Sequence, residues 1–217
     1  MKRTDLKLLL QILVTVSFIL FAKQVPSVFS QSTNIVSQDK TKEEIERVAN
    51  QQLDQAAKKF KEKQYWQSAI DLVFILDSYT DFSKLDEVIY LLGNSLYEME
   101  IYDGADLMYR YLLKTIPKTP LLPDVILALQ KVYYQKKEYQ QSLKFYTALE
   151  GHYSLNKGID ESRYYASQAY YHVKNYDLVP NINQLINTNS DFYAFGLYTS
   201  GLVYLKKKIS GKLLTPL

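Results

Sequence analysis

Cysteine is absent from this chain of 217 residues, histidine occurs twice, and glycine only seven times. Without cysteine there is no disulfide, no thiolate nucleophile, no sulfur-ligated metal and no cysteine-linked lipid anchor. The two histidines, His152 and His172, stand in different repeats without metal-ligand spacing and read as ordinary surface or groove residues. No glycine-rich phosphate loop and no nucleophile elbow occurs. Acidic residues such as Glu43, Glu44, Glu46, Glu98 and Glu100 suit solvated helix faces, and nothing pairs two of them for acid-base work. Catalytic residues, a cofactor and a metal are therefore not expected. A large excess of one charge is missing as well. The net charge is +3. Residues 1–30 supply all of it, with Lys2, Arg3, Lys7 and Lys23 against Asp5. The rest of the chain balances at zero, and a neutral body argues against nucleic acid as a partner, since its binders show a basic face.

The amino end has the order of an export signal. Residues 1–7 are short and basic, residues 8–22 are apolar apart from Gln11, Thr15 and Ser17, and Val28, Phe29 and Ser30 offer a cleavage site before Gln31. Basic, apolar and cleavable in that order describes a secretory signal peptide. A bilayer-spanning helix needs about 20 apolar residues, so the run is short for a retained anchor. The expected location is exported, periplasmic or secreted; the alternative is a protein held to the membrane by residues 8–22. Residues 31–42 are rich in Ser, Thr, Asn and Gln and read as a flexible leader.

Tyrosine is abundant, at 20 residues, and the chain repeats itself every 36 or 37 positions. An aromatic opens a second helix at Trp66, Tyr102, Tyr139 and Tyr176. Ahead of each comes a tight pair such as Ala56-Ala57 or Leu92-Gly93, and behind each a small or slender residue: Ala69, Ala105, Ser142, Val179. A fixed period in this range signals stacked units. In the second unit Ile89, Leu92, Gly93 and Leu96 share one helical face, Ala105, Tyr109 and Leu112 another, and Pro117 stops the pair. The first unit offers Leu53, Ala56, Ala57 and Phe60, then Ala69, Val73 and Leu76. The third keeps Ile126, Leu129 and Tyr133, places Gln130 where a small residue belongs, and completes its second helix with Ser142, Tyr146 and Leu149. In the fourth, Ala166, Ser167 and Tyr170 fit, Arg163 replaces an apolar group, and Pro180 belongs in the first turn of its helix. A fifth begins with Leu197, Ser200, Gly201 and Tyr204.

This succession of a large residue, leucine-glycine, an aromatic, alanine, an aromatic and a proline resembles the tetratricopeptide repeat (TPR) over residues 50–208. The resemblance implies an all-α fold: a right-handed α-α superhelix (TPR solenoid) of about four helical hairpins plus one further helix, preceded by a signal-peptide helix. Units are expected near 50–83, 86–119, 123–156 and 160–193, with a partial one at 194–208 and a frayed tail at 209–217. Either Leu213, Leu214 and Leu217 fold back as a crude cap, or the natural product is longer. Lys206, Lys207 and Lys208 read as a basic run at a helix end, where the negative end of the dipole favours them.

In proteins of this family the first helices line a concave groove. The positions turned away from the packed leucine-glycine side select Tyr90, Asn94 and Tyr97; Leu127, Lys131 and Tyr134; Tyr164, Gln168 and Tyr171; and Tyr198. The first unit contributes Asp54, Lys58 and Lys61. Tyrosine combines large apolar area with a polar tip and is enriched at binding hot spots. The rival reading is that some of these rings pack between helices. Only Asn94 and Lys131 resemble the cationic clamp by which some family members hold a terminal carboxylate, so that mode is not expected. The function implied is a non-catalytic protein-protein interaction scaffold of the cell envelope, binding a protein or peptide, with envelope or outer-membrane proteins as partners by family analogy. Two alternatives stand beside it: the recognition segment of a larger, truncated cell-envelope enzyme, and a membrane-anchored scaffold.

Overall fold

The computed structural model describes residues 42–213, with side chains as far as residue 208. The expectations for residues 1–41 and for the last four residues of the tail lie outside the described part. The described residues form nine helices in chain order: α1 (Lys42–Lys61), α2 (Tyr65–Ser78), α3 (Leu85–Glu98), α4 (Tyr102–Thr115), α5 (Leu122–Gln135), α6 (Tyr139–Tyr153), α7 (Ile159–His172), α8 (Leu178–Asn183) and α9 (Tyr193–Leu213). Each odd-numbered helix from α1 to α7 pairs with the even-numbered one after it, and α9 opens a fifth unit. The expected all-α solenoid of four hairpins and one further helix is what forms. Pro180 lies in the first turn of α8, as anticipated, where its missing amide costs nothing.

The period is 37 residues throughout. It shows best in the turn inside each hairpin, which is the same four times. Lys63, Glu100, Lys137 and Lys174 all take positive φ, between 60° and 65°. The amide of each of these residues donates three residues back, to Phe60, Tyr97, Tyr134 and Tyr171. The following amide donates five residues back, to Lys59, Leu96, Tyr133 and Tyr170. This pair of bonds is the Schellman closure of a helix, which satisfies carbonyls the helix itself leaves open. The left-handed residue is usually glycine; here it is lysine or glutamate each time, at a cost of about 1 kcal/mol per turn.

That register corrects the first unit. Tyr65, not Trp66, is the equivalent of Tyr102, Tyr139 and Tyr176, and Trp66 points outward. The packed face of α2 is Ser68, Leu72 and Ile75 together with Ala69, which is buried as expected, while Val73 is exposed. Ser68 Oγ donates to the Ala56 carbonyl at 2.9 Å, and its equivalent Ser142 Oγ donates to the Gln130 carbonyl at the same distance. A small residue at this site lets the two helices of a hairpin close up, and serine adds a bond across the gap. Ala56, Gly93, Gln130 and Ser167 share the opposing position; all but Gln130 are small. Gln130 is nonetheless fully buried, and reaches across to α7, where Nε2 donates to the Ser162 carbonyl at 2.8 Å and Oε1 accepts from Ser162 Oγ. Arg163, also out of pattern, binds Glu150 at 2.8 Å, Asp160 at 3.3 Å and the Leu185 carbonyl at 2.7 Å. It thus ties α6, α7 and the loop after α8 together in place of an apolar contact.

The fifth unit also needs re-registering. Gly196, Thr199 and Val203 are the buried residues of α9, in step with Ile159, Ser162 and Ala166 of α7. Gly201, expected at the packed site, is exposed, and a Cβ there would meet nothing within 4 Å. Nor does the helix end at the lysine run. α9 continues to Leu213, Lys206 lies 5.3 Å and 5.1 Å from the ring centroids of Tyr171 and Tyr176, and Lys207 pairs with Asp177.

Candidate functional site

Which side of the stack is concave follows from which helices touch. α1 meets α3, α3 meets α5, α5 meets α7 and α7 meets α9, whereas α2, α4, α6 and α8 touch none of their own kind. A stack drawn together along its first helices and spread along its second helices bends toward the first, which form the inner wall.

Three rows of equivalent residues run along that wall: Tyr90, Leu127 and Tyr164; Asn94, Lys131 and Gln168; Tyr97, Tyr134 and Tyr171. Apart from buried Leu127 all are part-exposed. The 37-residue register alters both ends of the assignment. In the first unit the equivalents are Leu53, Ala57 and Phe60; Asp54, Lys58 and Lys61 face solvent instead. In the fifth, Gly201 holds the place of Tyr164, and Tyr198 stands one turn earlier, level with Glu161.

The third row has a second role, which supports in part the reading of rings packed between helices. Each ring meets the aromatic that opens the next helix edge-on: Tyr97 with Tyr102, Tyr134 with Tyr139 and Tyr171 with Tyr176, all at 5.6 Å. Phe60 and Tyr65 repeat the pair at 5.3 Å. Such contacts contribute about 0.5–1.5 kcal/mol beyond area burial. These tyrosines therefore clamp the hairpin turn with one edge and face the wall with the other. Asn94 is engaged too, accepting from the Tyr109 hydroxyl at 2.6 Å, and Gln168 donates to Thr199.

The centre of the wall is a cluster that spans three units. Lys131 pairs with Glu161 at 2.6 Å, and its ammonium stands 5.5 Å from the Tyr97 centroid and 5.8 Å from that of Tyr165. Tyr165 meets the Tyr134 ring at 5.2 Å, and Gln135 donates to the Tyr97 hydroxyl at 3.2 Å. His172 stacks on Tyr139 at 4.5 Å beside this group. Glu161 and Tyr165 were not singled out by the sequence. Glu161 lies one turn before Tyr164, on the stripe of the i, i+4, i+7 series, whereas Tyr165 lies one residue after Tyr164, about 100° round the helix. Extending the stripe back one turn would have found Glu161; Tyr165 joins the cluster through its contacts with Tyr134 and Lys131.

Burial pushes the Tyr109 and Tyr165 hydroxyls well above the ordinary phenol range. It raises Tyr134 and Tyr146 to about 12. The unfolded chain ionises its tyrosines near pH 10. Between pH 10 and 12 the folded chain therefore holds more protons, and stability falls as pH rises through that interval. The melting midpoint should be steady up to about pH 9.5 and drop steeply by pH 12. Phenolate absorbance at 295 nm should rise together with the loss of helical dichroism at 222 nm. A midpoint unchanged at pH 12 would contradict this.

Among the described residues no helix is long and apolar enough to cross a membrane. No protein-family model and no curated protein matches the chain. Solved structures do. One is YrrB, described as a TPR protein with an unusual peptide-binding site, at a TM-score of 0.56 and 16% identity over 72% of this chain and 76% of that one. Another is MamA from AMB-1, at a TM-score of 0.58 and 14% identity over 76% of this chain and 86% of that one. At such identities the likeness is one of fold: the chain has the fold of a tetratricopeptide-repeat solenoid.

Proposed function

We propose that this solenoid is an exported, non-catalytic scaffold whose inner wall binds an extended segment of another protein. The cluster of Tyr97, Lys131, Tyr134, Glu161 and Tyr165 carries the reading. It places aromatic edges, a cation and a carboxylate on one side of the molecule, on helices held rigid by repeated turns. Tyrosine rings of this kind supply contact area at little entropic cost. YrrB, of the same fold, is described as peptide-binding, which supports a peptide as the ligand class. Export rests on the basic, apolar and cleavable order of residues 1–30. The mature chain is then expected to begin at Gln31, which intact mass measurement checks; an uncleaved chain in the envelope would favour the membrane-anchored form.

Serine at Tyr97, Tyr134 and Tyr171 would break the turn clamps along with the wall. The better test keeps the rings. Peptides selected from a displayed random library on the immobilised protein should bind the triple variant Tyr97→Phe, Tyr134→Phe, Tyr171→Phe at least tenfold more weakly. Lys131→Ala should weaken them to a similar degree while leaving the dichroism spectrum unchanged. Selection of no peptide above background, or binding to both variants as tight as to the parent chain, would reject the wall as the site.

A further inference from the structure

α9 buries one face, Gly196, Thr199 and Val203, against α7 and α8. The face directly opposite is apolar and open. Its centre is Gly201, and the residues three and four positions to either side are Leu197, Tyr198, Tyr204 and Leu205. These four side chains are 55–68% exposed. A glycine in mid-helix costs about 1 kcal/mol relative to alanine. Nothing among the described residues explains this one, because a Cβ at Gly201 would meet none of them within 4 Å. Gly196 on the same helix is explained: it lies against Asn183 and Ile186.

We propose that α9 is a self-association surface, on which two copies of this chain pack α9 against α9 about a two-fold axis, crossing at Gly201. A two-fold contact needs a patch complementary to itself. A bare glycine ringed by large apolar side chains is such a patch: the backbones approach at the glycines, and each copy's Leu205 and Tyr204 fill the hollow beside the other's. The area agrees. The four side chains leave on the order of 500 Å² open per copy, so that two copies cover about 1,000 Å², the lower bound for a specific interface. The dimer is accordingly a weak one. Lys208 lies at the end of the stripe, one turn beyond Leu205, so its charge stays at the rim.

Sedimentation equilibrium of the full chain from 1 to 200 μM tests this, with each variant carrying the same leader so that any association through residues 8–22 cancels. Gly201→Arg removes the helix-weakening glycine without touching a neighbour, so the fold is retained, and dichroism verifies it. Its dissociation constant should rise at least 30-fold. The chain has no cysteine, so Gly201→Cys introduces a single reporter. Under mild oxidation it should cross-link to its mate at least tenfold faster than Trp66→Cys, an exposed site on α2. A monomer across the whole range shows that something in the chain itself covers this face, or that nothing does, and overturns the proposal. So do equal association of Gly201→Arg and equal cross-linking rates at the two cysteines.

Discussion

Replacing Gly93 with valine should destabilise the solenoid by about 3 kcal/mol or more, measured as the shift in urea midpoint. The reason lies in the crossing of α3 and α4. A Cβ on Gly93 would stand 2.5 Å from Cε1 of Tyr109 and 2.9 Å from Cδ1 and Cζ. The ring has nowhere to go. Tyr109 is 1% exposed, its hydroxyl is bonded to Asn94, and its face lies near the Tyr90 ring at 6.0 Å. Alanine adds the same Cβ but gains about 1 kcal/mol in helix propensity, so it should cost less than valine, about 1–2 kcal/mol. The repeat supplies its own control. In the first unit the equivalent pair is Ala56 and Leu72, both fully buried. Gly93→Ala combined with Tyr109→Leu rebuilds that pair and should recover more than half of the alanine penalty. No recovery would mean that the penalty has another source than the ring.

Gln130→Ala should be comparably severe, at about 3 kcal/mol. Its side chain fills the space between the third and fourth units, and both ends are bonded to Ser162. Alanine leaves a cavity and a buried hydroxyl without a partner, each unfavourable. The consequence reaches beyond the midpoint. Stability in a repeat array is close to a sum of unit and interface contributions. Weakening one interface should therefore split thermal unfolding, so that residues from α7 onward melt before α1 to α6. Calorimetry would show this as a broadened or double transition. Adding Ser162→Ala removes the orphaned hydroxyl and should return about 1 kcal/mol. A single sharp transition at the parent midpoint would contradict the bridging role.

These two sites also mark what the amino-acid order reveals and what it conceals. Leu92-Gly93 with Tyr109 was legible because the constraint is local: two helices of one hairpin, a fixed number of residues apart. Gln130 read as a departure because its partners belong to the next unit, and no pattern within the third repeat announces Ser162. Arg163 is the same case, with Glu150 and the Leu185 carbonyl as partners. The one-residue error at Trp66 arose from two adjacent aromatics, Tyr65 and Trp66, either of which satisfies the period. Only the left-handed turn at Lys63 selects between them. Gly201 and Tyr204 imitated the packed pair of the other units three residues out of step, and burial of Thr199 and Val203 shows the true register. On the wall, the rows of tyrosine were found from spacing, but their pairing with Tyr102, Tyr139 and Tyr176 depends on side-chain direction at the turn.

The strict 37-residue recurrence has a metrical consequence for anything laid along the inner wall. Neighbouring packed helices stand about 8–10 Å apart. A polyproline II strand advances about 3.1 Å per residue. Three of its residues therefore match one step of the protein, and the wall acts as a ruler graduated in tripeptides. A strand with the same side chain at every third place would meet Tyr97, Tyr134 and Tyr171 in turn. Its grip would tighten in stages as the strand lengthens, and level off once it outruns the last graduation.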